Sequence, residues 1–293
     1  MTDEPIDLLH LGHPRVIGVY VVETADGLAL FDCGPRTCVD ALEAGLAARG
    51  IQPGDLRHLL LSHIHLDHAG AAGTLVRRHP HLQVHVSEIG APHLVDPARL
   101  VASARRLYAN ELETLWGEPE PVPAENVHAA GSLVVGLECF PSPGHASHHV
   151  CYLAGDGTLF AGDAAGVRIT PGRHVLPQAP PPDIDAVGWE RTFDEIERRS
   201  PSALALTHYG IVHEVVAHVE QARARLRLWV DRIRTGMGED EWMATARAEL
   251  VADVGSAGAE HTQRAAPLEQ SYAGISRYVE KSAPTARRST AAR

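Results

Sequence analysis

The run Leu59-Leu60-Leu61-Ser62-His63-Ile64-His65-Leu66-Asp67-His68 decides the reading of this chain. Three leucines make a short apolar strand that stops at Ser62, and His63, His65, Asp67 and His68 follow at once. Neutral imidazole is the commonest metal ligand, and carboxylates accept the same ions. On a turn at a strand end, alternate residues His63 and His65 face one pocket, while Asp67 and His68 turn toward a second. The short spacing favours two adjacent metal sites over one.

The rest of the sequence frames that cluster. The 293 residues allow one large domain or two small ones, and 44% hydrophobic against 22% charged residues fits a folded protein. A formal charge of -11 works against a nucleic-acid-binding surface or attraction to anionic membranes. No segment reaches the roughly 18 apolar residues of a membrane span, and Met-Thr-Asp-Glu-Pro does not open a signal peptide, so a cytoplasmic protein is expected. Cys33, Cys38, Cys139 and Cys151 form no Cys-x-x-Cys pair and read as reduced, buried thiols.

Upstream of the cluster, Val16 to Glu23 and Leu28 to Asp32 read as a hairpin around Ala25-Asp26-Gly27, followed by a helix from Thr37 to Arg49. Downstream, helical pattern covers Ala69 to Arg78, and Gln83 to Val86 is another strand. Leu100 to Trp116 reads as one amphipathic helix inserted before a second β-rich block, with strands at Leu133-Val135, Leu137-Phe140, His149-Leu153 and Thr158-Phe160. A Pro-rich loop then leads to a helix over Ala186 to Arg199, a strand over Ala203 to Leu206, and Thr207-His208. Helices are expected over Val212 to Arg234, Glu239 to Val251 and Ala266 to Val279, with a Gly/Ala-rich connector before the last. Two β-rich halves, each with helices, predict an α/β fold built as a four-layer αββα sandwich. The expected organisation is a catalytic domain over 1–215 with a helical insertion at about 93–120, a packed C-terminal helical segment over 216–282, and a frayed tail over 283–293.

Three further candidates sit in turns near apolar strands: His145 in Ser142-Pro143-Gly144-His145, Asp163 in Ala161-Gly162-Asp163, and His208 in Thr207-His208-Tyr209. Each is weak alone, because a lone histidine is more often a surface or satisfied core residue. In joint order they resemble the metallo-β-lactamase-fold superfamily, whose His-x-His-x-Asp-His hallmark is matched by His63, His65, Asp67 and His68. The resemblance runs from about Val16 to Gly210. It implies that His63, His65 and His145 hold one metal, that Asp67, His68 and His208 hold the other, and that Asp163 bridges them. Asp32, in Leu30-Phe31-Asp32-Cys33-Gly34, matches an acidic residue that supports the metal site from behind in this superfamily. His149, four residues beyond His145, either orients a ligand or starts a strand.

The resemblance further implies two divalent ions, zinc by donor type, with iron or manganese accepted by the same groups. Such a pair acidifies a bridging water and polarises a carbonyl, which makes hydrolysis the expected reaction, with Asp67 both ligand and orienter of the hydroxide. An activated acyl, thioester-like small molecule is the leading substrate class, in the manner of the glyoxalase II-like branch. Lactone hydrolysis is the nearest rival; lactonases often carry a tyrosine shortly after the bridging aspartate, and here Ala164-Ala165-Gly166-Val167 follows Asp163. An iron-dependent sulfur or oxygen oxidoreductase is the alternative outside hydrolysis. No nucleic acid or membrane partner is expected, and a homodimer is left open. Arg168 and Arg277 are candidates for touching an anionic substrate, each also readable as packing or a solvated surface, and the Leu100 to Trp116 insertion, with Arg105, Arg106, Tyr108 and Trp116, is a candidate pocket wall or dimer surface.

Overall fold

The computed structural model describes residues 4–282, so the expected tail over 283–293 lies outside the described residues. Two six-stranded mixed sheets face each other. The first runs in chain order: β1 (Ile6–Asp7), β2 (Gly18–Thr24), β3 (Gly27–Phe31), β4 (Leu56–Leu60), β5 (Gln83–Val86) and β6 (Val127–Ala129). The second comprises β7 (Leu133–Val134), β8 (Leu137–Pro141), β9 (Val150–Leu153), β10 (Thr158–Phe160), β11 (Ala203–Leu206) and β12 (Gly210–Val212), again in sequential order across the sheet. Strands β3 to β6 are parallel, as are β10 and β11; the other pairings are antiparallel.

Side-chain alternation explains the layers. Tyr20, Val22, Ala29, Phe31 and Leu60 point between the sheets and meet Cys139, Tyr152, Phe160 and Ala205 from the other side. Their neighbours Val21, Leu30, Leu59 and Val84 point outward, into a core shared with Leu42 and Leu46 of α1 (Val39–Ala47) and Leu75 and Val76 of α3 (Ala72–Arg78). On the far side, Leu159, Leu204 and Leu206 join Phe193 and Ile196 of α7 (Ala186–Arg199) and Val219 and Ala222 of α8 (Val215–Arg234). Helix, sheet, sheet, helix is the four-layer αββα sandwich that the alternating blocks predict.

Several element boundaries differ from the sequence reading. The helix after the histidine run starts inside it, as α2 (Leu66–Ala69), and Gly70 and Ala71 separate it from α3. Asp67 and His68 therefore stand on a first helical turn. The insertion is three pieces, α4 (Ala91–Val95), α5 (Ala98–Tyr108) and α6 (Leu112–Leu115), because Ala109 takes a φ of 47° that ends α5. Its Ala104 and Leu112 cluster with Leu66, which seats the insertion over the metal-ligand loop. The Gly/Ala-rich stretch expected as a connector belongs to α9 (Glu239–Ala265), interrupted only at Gly255, with a φ of 73°; alanine's helix propensity and the burial of Ala259 and Thr262 carry the helix through. With α10 (Leu268–Ser282), α8 and α9 close a packed group in which the Trp229 and Trp242 rings lie 4.8 Å apart.

Candidate metal centre

The site lies where strands of both sheets end. His63, His65, Asp67 and His68 follow β4, His145 lies between β8 and β9, Asp163 follows β10, and His208 follows β11. Two glycines make the turns feasible. A Cβ on Gly144, at a φ of 143°, would sit 2.3 Å from Cβ of Trp189, and one on Gly162, at 49°, would sit 2.6 Å from Cβ of Ser62. Trp189 of α7 also donates its indole N–H to the Ala164 carbonyl at 2.7 Å, so one buried ring supports both the His145 and the Asp163 turns.

The seven side chains converge into groups that can each hold an ion: His63, His65 and His145; Asp67, His68 and His208; and Asp163 with His63 and His68. Nδ1 of His65 lies 2.9 Å from Nε2 of both His63 and His145. Asp67 Oδ2 lies 3.6 Å from His68 Nε2 and 3.4 Å from His208 Nε2. Asp163 stands between: its Oδ2 is 3.4 Å from His145 Nε2, while its Oδ1 is 3.4 Å from His68 Nε2 and 3.6 Å from His208 Nε2. One carboxylate thus presents an oxygen to each side.

Hydrogen bonds behind the site fix which nitrogen faces inward. Nδ1 of His68 donates to Asp32 at 2.7 Å, Nδ1 of His145 to the Gln178 carbonyl at 2.7 Å, and Nδ1 of His208 to the Val16 carbonyl at 2.6 Å. Carboxylates and carbonyls only accept, so each ring carries its proton on Nδ1 and turns an Nε2 lone pair to the centre. His63 Nδ1 reaches Ser62 Oγ at 2.9 Å, and that hydroxyl donates to Asp32. Asp32 is fully buried and also accepts from Ser62 N–H and Thr207 Oγ1, each at 2.8 Å. His149, nearly fully buried, accepts the Asp163 N–H on Nε2 at 3.2 Å, so its Nδ1 carries the proton and donates to Ser142 Oγ at 2.7 Å. It touches the site by positioning Asp163.

The centre is built for cations. His68 Nε2, His208 Nε2 and both carboxylate oxygens of Asp163 are buried with no hydrogen-bond partner, a cost that a metal ion in their midst removes. Burial opposes charge on His68 and His208, yet Asp163 and Asp67 outweigh it and raise both pKa values. Burial also works against ionised Asp163 and Asp67, but the surrounding imidazoles hold both carboxyls well below the usual carboxylate range. His63, His65 and His145 are pushed down, first by burial and then, for His63 and His65, by neighbouring imidazoles, and so stay neutral ligands.

Of the remaining candidates, Arg168 bonds the Gly172 carbonyl at 3.1 Å and pairs with Glu214 at 3.5 Å, and Arg105 pairs with Glu118 at 2.6 Å, so both are engaged elsewhere. Arg277 is exposed on α10 and lines neither lobe of the cleft above the centre. Arg106 and Tyr108 do line that cleft, and Trp116 stacks on His10 in its second lobe, with ring centroids 4.8 Å apart. The anchoring carbonyls of Val16 and Gln178 had no sequence signal, since every residue carries one. His148 has a weak one in the pair His148-His149; its ring packs 5.5 Å from that of His65.

A sequence profile of the metallo-beta-lactamase superfamily matches residues 14–208, which includes all seven converging side chains. The chain is 28% identical over 173 residues to a probable metallo-hydrolase of Mycobacterium tuberculosis, Rv2300c, covering 50% of this chain and 56% of that protein. It is 28% identical over 147 residues to an atrochrysone carboxyl ACP thioesterase of Claviceps purpurea, covering 49% of this chain and 38% of that one. Matched regions thus span less than two thirds of these curated relatives. The crystal structure of an archaeal metallo-beta-lactamase superfamily protein from Sulfolobus tokodaii superposes with a TM-score of 0.62 at 19% identity, over 95% of this chain and 96% of that one. Profile, fold and site geometry agree, and the chain belongs to the metallo-beta-lactamase superfamily.

Proposed function

We propose that this protein is a dinuclear metal-dependent hydrolase acting on an activated acyl, thioester-like small molecule. The observation that carries the reading is the placement of Asp163, with one oxygen 3.4 Å from His145 and the other 3.4 Å from His68. A shared carboxylate between two imidazole groups is the donor pattern of a metal pair rather than a single ion. His63, His65 and His145 would hold one ion, and Asp67, His68 and His208 the other. Nitrogen and oxygen donors without thiolate fit zinc, with iron and manganese as alternatives.

When bound, such ions polarise an acyl oxygen and acidify water. The chain's own residues do the rest. Asp67 is the candidate ligand that borders both lobes of the cleft, where it orients the attacking water. Asp32, Ser62 and His149 hold ligand atoms in place from behind, at the distances given above. Leu107 and Tyr108 wall the junction and limit bulk water there. The thioesterase-named relative supports a thioester over a lactone.

Elemental analysis of purified protein, followed by assay on thioesters, lactones, β-lactams and phosphodiesters, tests the reading. Two metals per chain with turnover of thioesters is the expected result. A protein that hydrolyses lactones or phosphodiesters and leaves thioesters intact overturns the substrate class; iron-dependent oxygen consumption without hydrolysis overturns the reaction.

A further inference from the structure

The cleft above Asp67 is divided. One lobe, of about 460 Å³, and another, of about 350 Å³, share Asp67, Leu107, Tyr108, Gln178 and Gln270 as their common wall. Tyr108 on α5 and Gln270 on α10 both border the two lobes, so the divider is shared by the insertion and the C-terminal helices. Hydrolysis at a carbonyl beside Asp67 splits a substrate into two halves, and each half has a lobe.

The lobes differ in charge. The smaller one mixes Leu11, Ile17, Leu115 and Trp116 with His10, His13, Glu111 and Arg264, and Arg264 is hydrogen-bonded to His13 at 2.9 Å. The larger one is walled by α5, where Arg99, Ser103 and Arg106 fall at i, i+4 and i+7 and so form one stripe facing the cavity. Arg105, on another face of that helix, is paired with Glu118. Arg99 and Arg106 have neither an ion-pair nor a hydrogen-bond partner among the described residues. The one carboxylate of the facing wall, Asp183, accepts the Ser147 N–H at 2.8 Å. In a chain of net charge -11, two unpartnered, exposed guanidinium groups along one cavity wall are free to bind phosphate or carboxylate oxygens.

Resting on the thioester reading, we infer that the Arg99–Ser103–Arg106 stripe binds the anionic thiol half of the substrate, which leaves the smaller lobe, with no unpartnered arginine, to the acyl half. In the reaction the water oxygen bonds to the acyl carbon and the C–S bond breaks. One water proton goes to the sulfur, and the other is released as the acid ionises. The thiol leaves along α5 and the carboxylate through the smaller lobe.

The test uses one acyl group on three thiols: coenzyme A, which carries phosphates; glutathione, which carries carboxylates; and N-acetylcysteamine, which is neutral. At low salt, kcat/KM for an anionic thiol exceeds that for the neutral one by about fivefold to tenfold, as two partly solvated ion pairs allow. In the R99Q/R106Q double variant that ratio falls to about one, and in R105Q it does not change. Coenzyme A favoured over glutathione identifies phosphate as the recognised group, and the reverse identifies carboxylate. Calorimetric binding of desulfo-coenzyme A and S-methylglutathione to the metal-loaded protein reads the stripe independently of turnover, with at least one of the two binding about fivefold more weakly to the double variant. Equal binding of both by parent and double variant overturns the inference even if thioesters are hydrolysed. Absence of any thioester turnover, with anion binding still lost in the double variant, refutes the reaction and retains the receptor.

Discussion

His68 and Asp32 form a fully buried pair, with Nδ1 of the imidazole 2.7 Å from Oδ2 of the carboxylate. The same carboxylate receives Ser62 and Thr207, so it ties the end of β3 to the loops after β4 and β11. Asp32 takes a φ of 54°, a conformation that asparagine also tolerates. Asp32→Asn therefore keeps the backbone while weakening the acceptor that fixes the His68 ring. Metal affinity, measured by chelator competition, is expected to fall about 10- to 100-fold. An affinity within twofold of the parent's shows that the carboxylate does not position His68.

Asp163 presents an oxygen to each imidazole group, so on the two-metal reading its removal affects both ions. Asp163→Ala should leave at most one metal per chain by mass spectrometry and lower hydrolysis by orders of magnitude. Two retained metals with near-normal turnover reject the bridging role.

His149 acts one step further out. His149→Ala leaves the Asp163 N–H and the Ser142 hydroxyl without their buried partner, so Asp163 loses part of its fixed orientation. A moderate loss of metal affinity is expected, larger for the more weakly held ion. His149→Gln, whose amide oxygen can accept the Asp163 N–H, should recover part of it. Unchanged metal content and rate in the alanine variant would sink the assignment.

A pH effect arises away from the centre. His218 on α8 donates Nε2–H to the Ala165 carbonyl at 2.9 Å, and its Nδ1 is buried without a partner. Burial pushes its pKa down to about 4, although the Ala165 carbonyl works the other way. The unfolded chain, with a histidine pKa of about 6.5, binds the proton first, so the contribution of His218 is complete above pH 6.5 and is lost as pH falls toward 4. Urea unfolding in the presence of a chelator should show the parent losing up to about 3 kcal/mol more than His218→Gln across that window. Parallel profiles would mean that His218 titrates normally.

What the sequence discloses follows from where the information lies. The His63–His68 run was legible because its donors are side chains within a single loop, and α7 and β11 were legible because apolar period and turn residues agree along their lengths. The anchors of His145 and His208 were not, because they are carbonyls of Gln178 and Val16, and a carbonyl carries no residue signature. The break of the insertion at Ala109 was hidden for the opposite reason: alanine favours helix, and the fold overrides it. Arg106 and Tyr108 were visible as candidates, whereas Arg99 and Gln270 acquire meaning only from the cavity that they border.

The order of the metal-binding side chains along the chain sets a timetable for biosynthesis. A nascent polypeptide that has exposed residues through Asp163 carries His63, His65, His145 and Asp163, but lacks Gln178 and Trp189, which hold the His145 and Asp163 turns, and the imidazole of His208 with its strand β11. The group of Asp67, His68 and His208 can be completed only after the ribosome has released that strand to pair with β10. An arrested chain ending before Gln178 should therefore bind metal weakly if at all, whereas one extended past β12 can bring all seven side chains together.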